Sequence, residues 1–243
     1  MQTEKFILNE ERNVTLTSYI QDISPEMKHL DKRPAVLVLP GGGYFMCSDR
    51  EAEPVALAYL AEGYNAFVLR YSILEHSTFP NPLDDACKAI SFIRENAEKF
   101  NILPDKVAAI GFSAGGHLCA YLSNTEGYRP NASILCYPSI LDTMSEKLYN
   151  HEPTNVNELV TKDTPPTFVF STCKDNLVPI MNSTKYIEAL AENDVPFEAH
   201  IFENGQHGLS LAKNATGYIE TIAAQWVRLS LDWLNNEFDF NGD

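Results

Sequence analysis

Positive charge is scarce in this 243-residue chain: 18 Lys and Arg stand against 33 Asp and Glu, a net charge of −15 at pH 7. Such a surface has too little to replace the counterions of a phosphate backbone, which excludes nucleic acid as a partner. It also disfavours anionic substrates by repulsion on encounter, and its plainest role is solubility. Long apolar runs are missing too. The opening MQTEKFILNEERN contains no stretch suited to a signal peptide, and no segment reaches membrane-spanning length. The expectation is a cytoplasmic protein with no membrane partner. Cysteines are few and scattered, at Cys47, Cys87, Cys119, Cys136 and Cys173, and three of them (Cys87, Cys119, Cys136) sit inside apolar stretches. An odd, dispersed set of this kind suits reduced thiols better than a disulfide framework. No His/Cys/Asp cluster has metal-ligand spacing, so no metal is expected. Neither GGGY nor GFSAGG fits a phosphate loop, and no other cofactor is expected. No repeat, low-complexity tract or linker divides the sequence, which reads as a single domain over 1–243.

What is present is an alternation. Six short apolar runs recur at 34–39, 64–71, 107–112, 132–137, 166–171 and 197–202. Several are continuous in Val, Ile, Leu, Ala and Phe, the composition of strands buried on both faces. Between them lie helical patterns. One starts at Asn81-Pro82 and continues through Ala86, Cys87, Ile90, Ile93 and Ala97. Another is a stripe from Ile219 through Ile222, Ala223, Trp226, Val227, Ser230, Trp233 and Leu234, which makes both tryptophans core residues. The segments 5–8 and 14–20 read as a leading antiparallel hairpin. Strand and helix in alternation predict an α/β fold with a mostly parallel central sheet and helices on both faces. The polar, turn-rich stretch 138–165 breaks the alternation and reads as a small partial lid of two short helices.

The chemistry centres on Gly111-Phe112-Ser113-Ala114-Gly115, a G-x-S-x-G followed by Gly116. A strand pattern (VAAIGF) runs into it and a helix pattern (AGGHLCAYLS) runs out, the setting of a nucleophile elbow. A serine hydroxyl needs a base. Of six histidines, His29 and His76 precede the serine, His117 lies one helical turn after it, His151 falls in the insertion and His200 inside the last predicted strand. His207, in the loop NGQHG after that strand, is the expected base. Asp175, in the loop after the strand PTFVFS, is the expected acid that orients the imidazole. Asp142, after the preceding strand, is its rival. The loop Pro40-Gly41-Gly42-Gly43-Tyr44 follows the first long apolar strand. Acyl transfer needs fixed N–H donors for an oxyanion, and Gly42, Gly43 and Ala114 are the natural set. Tyr44, Phe45, Phe112 and Leu177 are the bulky candidates to line a substrate pocket.

The motifs PGGGY, SDREAEPVALAYLAEGYNAFVLRYS, GFSAGGHLCA, DNLVP with NSTKYIEAL, and HIFENGQHGLSLA together resemble those of α/β-hydrolase acetyl esterases, over about 34–233. Xylan-deacetylating and feruloyl-type esterases are the near relatives; hormone-sensitive-lipase-like and prolyl-oligopeptidase-like hydrolases are more distant. The resemblance implies the α/β-hydrolase fold and a cofactor-independent carboxylesterase acting on a small-molecule ester, with Ser113, Asp175 and His207 on the family's triad positions. It adds acetylated carbohydrate, such as xylo-oligosaccharides, as the substrate class. Two positions depart from the pattern. Pro40 stands where the lipase-like relatives carry histidine, so the support of the oxyanion loop must differ, and Asn176 replaces a second acidic residue. A small peptidase or amidase with the same triad remains an alternative, as does a non-catalytic binding protein of this fold. Homo-oligomerisation is left open.

Overall fold

A computed structural model of the chain describes residues 1–149 and 155–240. Its frame is one eight-stranded sheet. The strands are β1 (Gln2–Asn9), β2 (Val14–Ile20), β3 (Arg33–Leu39), β4 (Asn65–Arg70), β5 (Ile102–Phe112), β6 (Ala132–Cys136), β7 (Thr167–Thr172) and β8 (Phe197–Phe202). They lie in the order β1-β2-β4-β3-β5-β6-β7-β8. β1 pairs with β2, and β2 with β4, in antiparallel fashion; the pairings from β4 through β8 are all parallel. The helices are α1 (Glu53–Ala61), α2 (Asn81–Glu95), α3 (Ala97–Phe100), α4 (Ala114–Ser123), α5 (Met181–Glu192) and α6 (Trp226–Glu237).

The continuous apolar strands are double-sided because each face of the sheet has its own core. In β3, Leu37 and Leu39 join the core beneath α2, α4 and α5, whereas Val36 and Val38 join the core beneath α1 and α6. In β7, Val169 faces the first core and Phe168 and Phe170 the second. That is the period-two alternation of a strand with both faces covered. The sheet margins differ: β1 is largely exposed, and β8 carries Phe197 and Ile201 partly in solvent.

Several sequence expectations are met within a residue or two, and two are corrected. β5 begins at Ile102 rather than at 107, because Ile102 pairs with Arg33 before an irregularity restores the register at Ala35 and Val107. The helical stripe that starts at Ile219 is helical only from Trp226; Ile219 and Ile222 are 73% and 60% exposed. Helical spacing there coincides with turns and a 3-10 segment at Ala223–Gln225. Trp226 and Trp233 are both buried in the core, as the spacing suggests. The insertion at 138–165 holds 3-10 helices, Asp142–Lys147 and Val156–Leu159, and its residues 150–154, including His151, lie outside the described residues. Among the described residues, no helix is long and apolar enough to cross a membrane.

Candidate active site

The strand order reverses direction between β3 and β5, since the chain proceeds from β3 to β4 on one side and to β5 on the other. In open α/β sheets, the crevice beyond the carboxyl ends of the strands at such a switch is where ligands bind. Every motif noted in the sequence sits there: the glycine loop after β3, Ser113 after β5, the insertion after β6, Asp175 after β7 and His207 after β8.

Ser113 occupies φ 53° and ψ −115°, a region non-glycine residues seldom adopt. Small neighbours make the turn feasible. A Cβ on Gly111 would stand 2.2 Å from the carbonyl oxygen of Gly115, and one on Gly115 would stand 2.1 Å from that of Leu39. The first turn of α4 is therefore seated directly on the ends of β3 and β5, with its N-terminus beside Ser113.

Ser113 Oγ lies 2.7 Å from His207 Nε2, and His207 Nδ1 lies 2.8 Å from Asp175 Oδ2. The other oxygen of Asp175, Oδ1, accepts the backbone N–H groups of Leu177 (2.8 Å) and Val178 (2.9 Å), which fixes the carboxylate's orientation. The His207 N–H donates to Asn176 Oδ1 at 3.2 Å, so the residue replacing a second acid braces the histidine loop. The Asp175 and His207 side chains are 2% and 13% exposed, which shields the pair from water. Asp142, the rival acid, is exposed, and its N–H is held by Asn155 Oδ1 at 2.9 Å. His117 is buried with Nδ1 2.8 Å from the Tyr44 hydroxyl, and His200 Nε2 lies 2.7 Å from Glu198 on β8.

Gly42 and Gly43 line the same cavity as Ser113 and His207, a space of about 320 Å³. Gly42 sits at φ 128°, and a Cβ there would lie 2.2 Å from the carbonyl oxygen of Met46, so only glycine fits. The support that a histidine would give this loop comes from elsewhere: Tyr71 donates its hydroxyl to the Pro40 carbonyl at 2.5 Å, and Gly41 donates its N–H to Glu51 Oε2 at 2.9 Å. Of the proposed pocket residues, Phe45 and Leu177 line the cavity. Tyr44 and Phe112 do not. Both are fully buried, Tyr44 against Tyr71 and His117, and Phe112 against Tyr137 and Trp226 on the opposite face of the sheet. Their proximity to the motifs in sequence is overridden by strand alternation and by the turn at Tyr44 (φ 61°).

The cavity also takes residues the sequence reading passed over: Met46, Arg50, Glu51, Met144, Leu148 and Val178. Arg50 is exposed at the rim and lies over the Tyr218 ring at 5.3 Å. The insertion is polar outside, at Asp142 and Thr143, yet presents buried Met144 and Leu148 to the cleft, an apolar wall its composition conceals. It is tied to the glycine loop by the Tyr149 N–H, which donates to the Gly43 carbonyl at 2.9 Å. Among the described residues, no cluster of His, Cys, Asp and Glu has the arrangement of a metal site.

The BD-FAE family model matches residues 21–152, more than half of the chain. The chain belongs to the BD-FAE family. A second model, the prolyl oligopeptidase family, matches residues 141–240 of this BD-FAE member. Among solved structures, an α/β hydrolase enzyme from a Medee basin deep-sea metagenome library is 46% identical, with a TM-score of 0.92 over 98% of each chain. Endo-1,4-beta-xylanase B of Butyrivibrio fibrisolvens is 37% identical over 212 residues, which are 75% of this chain and 33% of that protein. The acetylxylan esterase of Xylanibacter ruminicola is 32% identical over 197 residues, 72% of this chain and 40% of that protein. The BD-FAE chain thus spans well under half the length of these curated relatives.

Proposed function

We propose that this chain is a serine carboxylesterase that removes short acyl groups, acetyl above all, through an acyl-enzyme on Ser113. The observation that carries the reading is the continuous contact Ser113 Oγ–His207 Nε2–His207 Nδ1–Asp175 Oδ2, at 2.7 and 2.8 Å. With Asp175 accepting from Nδ1–H, the imidazole exposes its Nε2 lone pair to the serine. His207 takes the hydroxyl proton as Oγ attacks the ester carbonyl, and the N–H groups of Gly42, Gly43 and Ala114 receive the developing oxyanion. The C–O bond to the alcohol then breaks, and His207 returns its proton to the departing oxygen. Water, deprotonated by the same imidazole, attacks the acyl-serine and releases the acid.

The acetylated alcohol is a carbohydrate on this reading, with acetylated xylo-oligosaccharides as the test substrate; the similarity to an acetylxylan esterase supports it. The cytoplasm is the compartment we assign, supported by five unpaired cysteines. A second reading, amide hydrolysis, is favoured by the prolyl oligopeptidase match over 141–240, the part of the chain that holds Asp175 and His207.

Turnover of p-nitrophenyl acetate against the acetanilide analogue separates the two, with the ester expected to be faster by orders of magnitude. Ser113→Ala should abolish hydrolysis without loss of folding, and an organophosphonate should label Ser113 alone. Full activity in the alanine variant removes the mechanism. Absence of acetate release from acetylated xylo-oligosaccharides removes the carbohydrate assignment only.

A further inference from the structure

Glu51 is 3% exposed, and both of its oxygens accept hydrogen bonds. Oε2 receives the N–H of Gly41 at 2.9 Å, and Oε1 receives the hydroxyl of Tyr137 at 2.6 Å. Tyr137, itself 2% exposed, accepts the N–H of Ser210 at 2.9 Å and packs its ring 5.2 Å from that of His207. The Ser210 hydroxyl in turn donates to the carbonyl of Arg50, the residue before Glu51. One carboxylate therefore links the root of the loop 41–43 to the segment three residues beyond His207. Each oxygen is used as an acceptor, so both polar atoms of this buried side chain are satisfied.

A buried carboxylate is expensive, and an amide or apolar side chain would be the cheaper filler at this position. Burial pushes the Glu51 carboxyl above its ordinary value, against the pull of the Tyr137 and Gly41 donors and of the nearby His207 and Arg50. Its value to the molecule therefore lies in geometry. Acceleration by an oxyanion hole depends on donors held within a fraction of an ångström of where the charge develops, and on the base being held equally well relative to them.

We infer that Glu51 is a positioning residue of the esterase site, a strut that sets the oxyanion loop and the His207 loop at a fixed distance from each other. The inference rests on the serine-esterase reading. It predicts a loss concentrated in the transition state: Glu51 borders the cavity, but both of its oxygens are committed to Gly41 and Tyr137, so ground-state binding should be little altered.

The test compares Glu51→Gln, Tyr137→Phe and their double variant with wild type and with Ser113→Ala, using p-nitrophenyl acetate. Each single variant should lose roughly tenfold to hundredfold in kcat with KM within about twofold, and affinity for a boronate transition-state analogue should fall in parallel. The double variant should lose little more than the worse single, because both break one linkage. Thermal melting of Glu51→Gln at pH 8 should not fall below wild type, whereas a merely structural role lowers Tm and raises KM together. Tyr137→Phe keeps the test decisive if Glu51→Gln does not fold. Wild-type kcat in either folded variant, or additive losses in the double, overturns the strut. If this happens while Ser113→Ala is inactive, the esterase reading stands without it; an active Ser113→Ala removes both.

Discussion

Ser113 shows what a single position spends on chemistry. Its φ of 53° costs an ordinary residue about 1–3 kcal/mol, and the surrounding close contacts of Gly111 and Gly115 hold it there. Asp175 shows the complementary constraint. Its Oδ1 is committed to two backbone N–H groups, so an amide at this position must keep its oxygen there and turn its NH2 toward His207. Nδ1 would then accept, Nε2 would carry the proton, and the imidazole could no longer act as base. Asp175→Asn should accordingly lower kcat on the order of a thousandfold, with Asp142→Asn within about twofold of wild type; stopped-rate kinetics on both variants rank the two acids. Glu51 adds a pH dependence of stability. Its folded-state pKa is raised above the usual 4.5, so the folded form holds its proton more tightly than the unfolded form. The stability this contributes is complete below 4.5 and is lost as pH rises through the folded value. The stability of wild type relative to Glu51→Gln should therefore decline as pH is raised from 4.5, measured by urea denaturation at several pH values; a difference that grows with pH would reverse the assignment.

At the scale of elements, the elbow helix is placed by absence of side chains. A Cβ on Gly115 would meet the backbone oxygens of Leu39 and Pro40 at 2.1 and 2.4 Å, and backbone atoms cannot step aside. Gly115→Ala should cost about 3 kcal/mol or more and displace Ser113 with it. Gly127→Ala, at φ +82° with nothing within 4 Å of the new Cβ, should cost only about 1 kcal/mol. Denaturant melts of the two variants check the contrast. On the esterase reading, the insertion limits the acyl group. It walls the cavity of about 320 Å³ with Met144 and Leu148, and the same space would have to take the alcohol half. Each buried methylene favours binding by about 0.8 kcal/mol only where there is room for it. kcat/KM over a p-nitrophenyl series should peak at acetate or propionate and fall steeply by octanoate. A maximum at octanoate would show a longer channel than these residues enclose. Of the elements, β3, β4, β6 and β7 were legible because each is a nearly continuous apolar run bounded by turn residues. The stripe from Ile219 misled because helical spacing on an exposed stretch carries no packing to enforce it.

For the whole molecule, the cysteines give a direct probe of the closed core. Cys47, Cys87, Cys119 and Cys136 are buried and Cys173 is exposed. Burial pushes the thiols of Cys47 and Cys119 up to about 12 and that of Cys87 up to about 11, which keeps them protonated and inert. Iodoacetamide should alkylate Cys173 alone in the native protein and all five in urea, as read by mass spectrometry, and dithiothreitol should leave Tm unchanged. The sequence by itself determined the class of fold and the order of the chemical groups along it. Buried parallel strands must be apolar throughout, and a strained serine turn needs small neighbours on both sides, so both leave a local imprint. It also singled out Ser113, His207 and Asp175, because each stands in a loop that follows a strand. What it could not contain is which side chains meet across the cleft. Phe112 and Tyr44 lie within the motifs yet turn away into the core, and Glu51, to which the sequence assigned no role, reaches Gly41 and, through Tyr137, the histidine loop. Those outcomes depend on which face each residue presents and on contacts between positions as far apart as Glu51 and Tyr137. Only the closed sheet, with its strand ends converging at the switch between β3 and β5, brings such positions together.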